Sequence, residues 1–573
     1  MFSNIKNIED LIYILGVKKT KLIFLVLLIL LSGFIELLGL GLIAPYVSSI
    51  LKLDSFTNFN FIFNFDNLSE KDFIFYVSIL LIVIFLLKTF LSIFIKWYIA
   101  YFSYTEFAKL QSRLMLVYQK MDYEEYINRN VAVYIRNIRE LCSHTLTCVE
   151  LTLKSISEII ILSFVFLFLF FHDFVILSYI ILVISPIIII YEKVLKPINF
   201  KLGDIRIEAI KGIFKNADSG LRGSKEIRFL SKDNFFREKL LNFALIAANK
   251  QAKSFLISDS PRYIFEFVLV TFAVTVMFFL NMRNLDMQNY IPTISVFIFA
   301  GLRILPSISL IVNCFNRISH FIPSVGIVLN DIKKNNNRSL EKKKKSEKNF
   351  KEIENIKFEN VKFIYRNSKE QVFENLNFEI KKNQCIGIVG ESGSGKTTFV
   401  DILLGLLEPS DGKILINGMS VQNYSSNLMG NIAYLPQEPI VLDESVQTNI
   451  ALEEDIKKID KNKLEKSIHN SNLTKVIQRL DRGVETLIGE NGIRLSGGQN
   501  KRLALARTFY HGKNFLILDE ATSSLDKENE NYIAEQINEL KGKFTIIIIS
   551  HQMNFLRYCD KIYKIENKKI LPN

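Results

Sequence analysis

The residues best suited to chemistry lie in one glycine-rich run that is followed by Thr398. The run is Gly390, Glu391, Ser392, Gly393, Ser394, Gly395, Lys396 and Thr397, and it matches G-x-x-x-x-G-K-[ST]. Glycines allow backbone N–H groups to close around phosphate oxygens at a helix N-terminus. In such a loop the lysine reaches the β- and γ-phosphates, and the hydroxyl of Thr397 ligates Mg²⁺. The pattern therefore predicts a site for a nucleoside triphosphate and Mg²⁺.

Further polar residues follow in the order that hydrolysis of a bound triphosphate requires. Asp519 and Glu520 end the apolar strand-like run Phe515–Leu518. Asp519 is placed to hold Mg²⁺ through water, and Glu520 is placed to orient or deprotonate the attacking water. The amide of Gln437 begins a loop from which it can contact Mg²⁺ or that water, and His551 is a candidate γ-phosphate contact. These residues predict hydrolysis as well as binding.

Two more segments are candidates for contact with the nucleotide. Tyr365 precedes the phosphate loop by about 25 residues, and its ring suits stacking on adenine, although an aromatic residue that ends a strand is also typical of packing. The helix-like segment Asn500–Tyr510 follows four small or polar residues, Ser496, Gly497, Gly498 and Gln499. Small residues at a helix N-terminus permit close approach to a γ-phosphate.

The elements around these residues predict an α/β domain over residues 353–573. Strand-like and helix-like runs alternate there, with Cys385–Val389 before the phosphate loop and Thr398–Leu407 after it. The last strand is expected over Lys561–Ile570. Residues 331–352 are rich in Lys, Asn, Ser and Glu, which predicts a solvated linker.

Residues 1–330 predict an α-helical transmembrane bundle. A helix needs about 20 apolar residues to span a bilayer. Apolar segments of at least about that length fall near 22–51, 73–101, 151–171, 174–195, 254–280 and 292–315. Lys and Arg are concentrated in loops 102–150 and 196–253, which we expect to be cytoplasmic extensions of the helices. Six spans with this asymmetry place both termini in the cytoplasm. The net charge of +13 is spread over such loops, so no nucleic-acid partner is expected.

The ordered motifs resemble those of the ATP-binding-cassette (ABC) family, and Leu495–Gln499 matches its signature. The resemblance covers six spans, a linker and one cassette in exporter order, and it implies a bacterial inner-membrane half-transporter that acts as a homodimer. It also implies that the signature completes the ATP site of the partner subunit. The segments Asp122–Arg129 and Ser224–Arg237 resemble the coupling helices that exporters dock on cassettes. One departure is Gln552-Met553-Asn554, where Arg-Leu-Ser is more usual.

The cargo is indicated only by charges inside the predicted spans. Lys88, Arg262 and Arg303 lie on three different spans, where they could line a cavity for a pyrophosphate headgroup. Glu36 and Glu266 offer counter-charges, so ion pairing, or snorkelling towards the interface, is the alternative.

The sequence around these positions resembles the bacterial flippases of lipid-linked oligosaccharides. Related exporters of lipid A, peptides or polysaccharide precursors remain alternatives. The phenylalanine-rich stretch Phe56–Phe65 is a candidate contact for a lipid tail, or a packed loop.

Two classes of function fit this organisation. The first is an ATP-driven flippase or exporter of an amphiphile, and the second is an ATP-gated channel or regulatory module. The complete set of hydrolytic residues favours turnover and therefore the first class. The predicted spans exclude a soluble cassette protein that acts on DNA or ribosomes.

Overall fold

The computed structural model describes residues 19–51, 70–174, 177–178, 185, 189, 191–282, 287–343, 352–420, 431–489, 495–520, 527–550 and 553–573. The chain forms two compact units. One comprises Met1–Lys120 and Asn130–Lys334, and the other comprises Met121–Arg129 and Asn335–Asn573. The short segment Met121–Arg129 thus belongs with the second unit, although both of its neighbours along the chain belong with the first.

The first unit is helical throughout its described part. Its helices are α1 (Lys19–Gly41), α2 (Ile43–Ile50), α3 (Glu70–Gln119), α5 (Val131–Arg136), α6 (Cys142–His172), α7 (Lys196–Arg222), α8 (Ser224–Phe229), α9 (Asp233–Met282) and α10 (Met287–Lys343). Helix α4 (Tyr123–Ile127) belongs to the second unit. One apolar core joins α6 to α10 through residues such as Val165, Leu169, Val296 and Ala300. Other large apolar side chains point outward, as Phe90 does on α3, which suits a surface that faces lipid.

Four helical stretches in the described residues are long and apolar enough to cross a membrane. They are Thr20–Ile50, Lys71–Gln119, Val131–His172 and Ile294–Ser319. Four of the six predicted spans therefore have a counterpart. The span near 174–195 falls mostly outside the described residues, and that near 254–280 lies on the continuous helix α9. The total of six stays a prediction.

Helix α10 extends further than the sequence indicated. It continues through Pro292, Pro306 and Pro323 and ends at Lys343, inside the segment predicted to be a solvated linker. Proline within a membrane helix is tolerated where neighbouring helices satisfy the freed backbone carbonyls. The segment predicted to be a solvated linker is therefore helical as far as Lys343, and its first two residues, Asp331 and Ile332, are buried.

The second unit contains two β-sheets. Its strands are β1 (Asn355–Ile364), β2 (Gln371–Lys381), β3 (Cys385–Gly390), β4 (Asp411–Ile416), β5 (Met419–Ser420), β6 (Ile432–Leu435), β7 (Phe515–Asp519), β8 (Thr545–Ile549), β9 (Lys561–Glu566) and β10 (Lys569–Pro572). The smaller sheet is antiparallel, in the order β2-β1-β4-β5. The larger sheet has the order β10-β9-β3-β8-β7-β6, and its five strands from β9 to β6 run parallel. Strands β7 and β8 are buried along their whole length, which explains their continuous apolar sequences.

Some helices of the second unit pack on the larger sheet, whereas α12, α13 and α14, whose bounds follow, pack against α15 in a cluster of their own. The helices are α11 (Lys396–Leu403), α12 (Val446–Ala451), α13 (Lys461–Asn470), α14 (Thr474–Gln478), α15 (Gly497–Tyr510), α16 (Lys527–Leu540) and α17 (Met553–Leu556). The phosphate loop follows β3, and the two carboxylates Asp519 and Glu520 stand at the end of β7. Ligand sites of parallel sheets form at the carboxyl ends of the strands, so the sheet topology brings these two motifs to one edge.

The end of the chain differs from the expectation. The single strand predicted over Lys561–Ile570 is instead a hairpin of β9 and β10. Asn567 and Lys568 form its turn with φ values of +50° and +61°. A two-residue hairpin turn of this kind requires positive φ at both positions, and glycine is its usual signal. Asn567 and Lys568 take the place of the usual turn glycine, and their turn divides the predicted strand in two.

Candidate active site

The phosphate loop has the backbone that its glycines allow. Gly393 and Gly395 have φ values of +83° and +102°, a region that favours glycine. A side chain at Gly395 would also lie 3.0 Å from Val372 Cγ1 and 3.1 Å from a ring atom of Phe373. The ammonium of Lys396 donates to the carbonyls of Gly390 and Glu391, each at 2.8 Å. The side chain of Lys396, which is predicted to bind phosphate, therefore lies across its own loop.

Tyr365 lies beside this loop. Its hydroxyl and that of Thr398 are 2.9 Å apart and share a hydrogen bond. Thr398 is buried on the first turn of α11, directly after Thr397. The structure thus brings the predicted adenine-stacking residue to the helix that carries the predicted Mg²⁺ ligand.

Glu520 is held by backbone and side-chain contacts together. Its φ of +47° is a left-handed conformation, which is unusual for a glutamate. Its N–H donates to the Ile549 carbonyl at 2.9 Å, and its own carbonyl accepts from Lys501 Nζ at 3.1 Å. The carboxylate accepts from Gln437 Nε2 at 2.9 Å. Two of the predicted catalytic residues therefore meet, and strain at a fixed carboxylate is common where geometry serves chemistry.

Asp519 is buried next to Glu520. Burial and the neighbouring Glu520 carboxylate raise the pKa of Asp519, while the hydroxyl of Tyr434, 3.4 Å from Oδ2, and the ammonium of Lys396 act in the opposite direction. A cation at this position would offset the cost of two adjacent carboxylates. Carboxylate, amide and hydroxyl oxygens are hard ligands that Mg²⁺ prefers. Asp519, Gln437 and Thr397 therefore fit the predicted metal.

The signature segment presents its first residues to solvent. Ser496 caps α15: its hydroxyl accepts from Gln499 N–H at 3.3 Å, and its own N–H donates to Gln499 Oε1 at 2.9 Å. Ser496 and Gly497 are exposed, and a side chain added at Gly497 would meet open space. Deeper in the helix, buried Arg502 donates to the Asn472 carbonyl at 2.7 Å. The contact of Arg502 with Asn472 thus anchors the buried side of α15, while the N-terminus of the helix is exposed.

Two predicted site features lie outside what the structure describes. His551 is not among the described residues, and neither is the phenylalanine-rich stretch Phe56–Phe65. Arg262 lies on α9, but its side chain is not described. Their predicted roles therefore stay predictions.

Lys88 and Arg303 converge on one carboxylate in the first unit. Lys88 Nζ lies 2.8 Å from Glu36 Oε1, and Arg303 Nε lies 3.4 Å from the same oxygen. Arg303 also reaches Glu158 at 3.1 Å, through Nη2. Glu36 is only 4% exposed, and the group borders a cavity of about 180 Å³. Four of the membrane-crossing stretches thus share a charge cluster, in which two carboxylates balance the two cations.

The segment α4 joins the cassette through Arg366. Asp122 caps α4 and accepts from the Glu124 N–H at 3.1 Å. The guanidinium of Arg366 lies 3.2 Å from Asp122 and 3.2 Å from Glu124, and the Arg366 N–H also donates to Glu124. These contacts agree with the resemblance of Asp122–Arg129 to a segment that docks on a cassette. Arg366 directly follows Tyr365, so this contact begins one residue from the nucleotide site.

Asp401 is a buried carboxyl near α4 that sequence reasoning missed. It lies on α11 and is 7% exposed. Burial, and then the charge of Asp519, raise the pKa of Asp401 to about 7. Burial and then the charge of Asp401 in turn raise the pKa of Tyr123, on α4. The apolar neighbours of Asp401 in sequence gave no signal of this cluster, nor did spacing indicate that Lys501 holds Glu520.

We expect Asp401→Asn to stabilise the nucleotide-free, metal-free protein above neutral pH. The folded pKa of about 7 exceeds the ordinary 3.8, so the contribution of Asp401 to stability falls as pH rises from about 4 to 7 and is then level. Asparagine does not titrate, so the difference grows over that window. At pH 8 the thermal midpoint should be higher by roughly 2–8 °C. Thermal unfolding from pH 4.5 to 8 measures this, with the exposed Asp443→Asn as control; equal midpoints at every pH would contradict it.

Comparison with known proteins identifies the second unit. Residues 373–523 match the family model described as ABC transporter. The ATP-dependent lipid A-core flippase of Pasteurella multocida (strain Pm70) is 35% identical over 216 residues, which are 38% of this chain and 37% of that protein. The flippase of the same name from Photorhabdus laumondii subsp. laumondii is 27% identical over 399 residues, or 69% of this chain and 67% of that one. The alignment with the first relatives thus spans little more than a third of their length.

A solved structure matches nearly the whole chain. It is that of a bacterial Atm1-family ABC exporter with ATP bound, with a TM-score of 0.75, 17% identity, and coverage of 96% of this chain and 95% of that one. The chain therefore has the fold of this exporter, a helical membrane-type part followed by an α/β cassette, and residues 373–523 of the cassette match the ABC transporter model.

Proposed function

We propose that this protein is an ATP-driven flippase that moves a lipid-linked, pyrophosphate-bearing oligosaccharide across the bacterial inner membrane as a homodimer. Its multi-pass membrane part has both termini in the cytoplasm. The alternative cargo is lipid A-core, the lipid named for the relatives. The observation that carries the proposal is the convergence of Lys88 and Arg303 on Glu36 within apolar spans, because ionisable residues inside a membrane mark substrate pathways.

Each predicted site residue of the cassette has a role in binding or hydrolysing ATP. Glu520 orients or deprotonates the attacking water, and Gln437 positions the Glu520 carboxylate. Lys396 and the loop N–H groups bind the phosphates, Tyr365 stacks on adenine, and His551 contacts the γ-phosphate. Thr397, Gln437 and Asp519 hold Mg²⁺, which when bound neutralises charge that develops on the phosphates.

Two exposed surfaces support dimerisation. Ser496 and Gly497 are exposed at the N-terminus of α15. In that position they suit contact with the γ-phosphate of ATP bound to a partner subunit. At the tip formed by α7, α8 and α9, Phe229 is 89% exposed, and Leu221 and Leu230 are also exposed. Apolar groups at a polar cytoplasmic tip indicate a protein partner. We infer that this tip docks on the cassette of the second subunit.

The charge cluster gives the test of the cargo. We expect Lys88→Gln combined with Arg303→Gln to lower flipping of the pyrophosphate-linked lipid by about tenfold or more, which is about 1.4 kcal/mol, while basal ATPase activity survives. The cations offset the desolvation of an anionic headgroup, and the neutralised protein cannot. Flipping in proteoliposomes is measured together with ATPase activity and folded yield. Lys96→Gln, an exposed lysine on the same helix, is the control.

Further arms separate the alternatives. Because the double variant leaves Glu36 buried without its cations, a triple variant that adds Glu36→Gln removes this unpaired buried carboxylate and tests folding separately. Parallel assays with lipid A-core distinguish the two cargoes. Normal flipping of both lipids by the folded double and triple variants would rule out the cluster as a cargo site. An ion current that opens with ATP, without lipid movement, would instead favour the gated-channel alternative.

A further inference from the structure

A second, larger cavity lies between four helices of the first unit. Its volume is about 950 Å³, near the upper end of the about 300–1,000 Å³ typical of ligand sites. Helices α6, α7, α9 and α10 each contribute side chains to its wall. It is distinct from the small cavity beside Glu36: among the described residues, Leu302 alone lines both. Sequence reasoning did not single out this site.

The wall is rich in uncharged hydrogen-bonding groups. Six of its side chains are amides or hydroxyls: Asn199, Gln251, Ser254, Ser309, Asn313 and Asn316. Amides donate and accept at once, which matches a ligand that carries many hydroxyl groups. Asp259 adds a carboxylate that accepts from hydroxyls. A purely apolar ligand would leave these amides and hydroxyls without new partners, and a buried polar group without a partner is costly.

Asn316 is a buried donor that points to a missing acceptor. Its residue is only 5% exposed and lines the cavity, yet its Nδ2 finds no hydrogen-bond partner among the described residues. Ser254 by contrast is already satisfied, because its hydroxyl donates to Asn199 Oδ1 at 2.5 Å. Burying an amide without a partner destabilises the empty protein, so a ligand oxygen that accepts from Asn316 would be favoured.

Cationic groups line the same cavity. Arg317 follows Asn316 on α10 and is exposed, and Lys250 is contributed by α9. Cations beside a set of amides suit a sugar attached to a phosphate or pyrophosphate, because guanidinium and ammonium groups bind phosphate oxygens. The amides thus suit the sugar, and the cations suit the phosphate, of one headgroup.

We propose that this cavity binds the sugar headgroup of the cargo, with Asn316 donating to a sugar oxygen and Arg317 and Lys250 facing the attached phosphate. The inference rests on the proposed function, since it assigns the cargo to the glycolipids. Lipid-linked oligosaccharide and lipid A-core share this chemistry. The cavity is a recognition site in the protein without nucleotide, before any movement of the cargo.

The test measures binding to the full-length protein in detergent or nanodiscs without ATP. The probes are polyprenyl pyrophosphate with and without its oligosaccharide, and lipid A with and without its core sugars. In the wild type, the sugars of the true cargo should increase affinity by about tenfold. Asn316→Leu has a similar shape without the donor, and it should remove most of that increase while the sugar-free lipid binds as before. Arg317→Gln should weaken both members of the pyrophosphate pair.

A structural role for Asn316 predicts a different outcome. Asn216→Leu is the matched control, because the Asn216 amide is already satisfied by the Gly212 carbonyl at 2.7 Å, away from the cavity wall. Thermal midpoints of the empty proteins should show Asn316→Leu to be as stable as the wild type or more stable. Equal affinity of the wild type for lipids with and without sugar, or an equal loss for both in Asn316→Leu, would overturn the proposal. Absence of ATP-driven flipping would count against the proposed function alone, since binding is measured without turnover.

Discussion

Glu520→Gln should leave ATP binding intact and slow ATP hydrolysis by about 10²–10⁴-fold. Glutamine keeps the size of the side chain and the contact with Gln437, but its amide cannot accept a proton from water. The backbone anchors of Glu520, to the Ile549 carbonyl and Lys501 Nζ, do not involve the side chain and remain in the variant. The expected loss is therefore chemical and not structural.

Phosphate release and nucleotide affinity, measured on the same purified dimer, separate the two effects. Glu438→Gln removes an exposed carboxylate one residue after Gln437 and should keep nearly wild-type turnover. Wild-type turnover by Glu520→Gln would reject the catalytic assignment. A parallel loss of ATP binding would show that Glu520 acts on the structure of the site instead.

Heterodimers of Lys396→Ala chains and Ser496→Arg chains should retain one intact ATP site. If each site combines the phosphate loop of one chain with the signature of the other, both lesions fall on one site and spare the second. If each chain built its own site, every site would carry one lesion. The exposed position of Ser496 and Gly497 favours the shared arrangement. Arginine at position 496 fills the space into which a γ-phosphate would fit.

Differently tagged chains allow the heterodimer to be isolated, and nucleotide tightly held per dimer is then counted. We expect about half the wild-type amount in the heterodimer, and close to none in either parent homodimer, because Lys396→Ala also removes the charge that binds the triphosphate. A heterodimer that holds no nucleotide, although folded and dimeric, would contradict the shared site.

Local sequence was sufficient where a motif and its supporting element are contiguous. The phosphate loop lies between β3 and α11 as predicted, and Asp519 ends β7, because glycine spacing and an apolar run specify backbone directly. The signature helix begins at Gly497, within the segment Leu495–Gln499 that was expected to open it, because Ser496 supplies the cap.

Contacts between distant positions could not be predicted in this way. Lys88 and Glu36 are 52 positions apart, and Ser307 and Glu158 are 149 apart, so their meeting depends on the packing of whole helices. Pattern reasoning allowed Lys88 and Arg303 to face a common cavity and named Glu36 as a counter-charge, but it could not show that both cations meet the same Glu36 oxygen. Asn316 reads as one polar residue in an apolar helix, and only the cavity beside it reveals a candidate role.

The position of Arg366 next to Tyr365 has a mechanical consequence. A trans peptide unit is rigid, so the Cα atoms of these neighbours stay about 3.8 Å apart whatever the side chains do. If Tyr365 stacks on adenine as proposed, a displacement of its backbone on nucleotide binding would reach Asp122 and Glu124 through the contacts of Arg366, and rotation about φ and ψ is the only freedom left between the two residues. The strand end would then couple nucleotide binding to α4, and the strength of that coupling would be limited by the contacts of Arg366 with the two carboxylates.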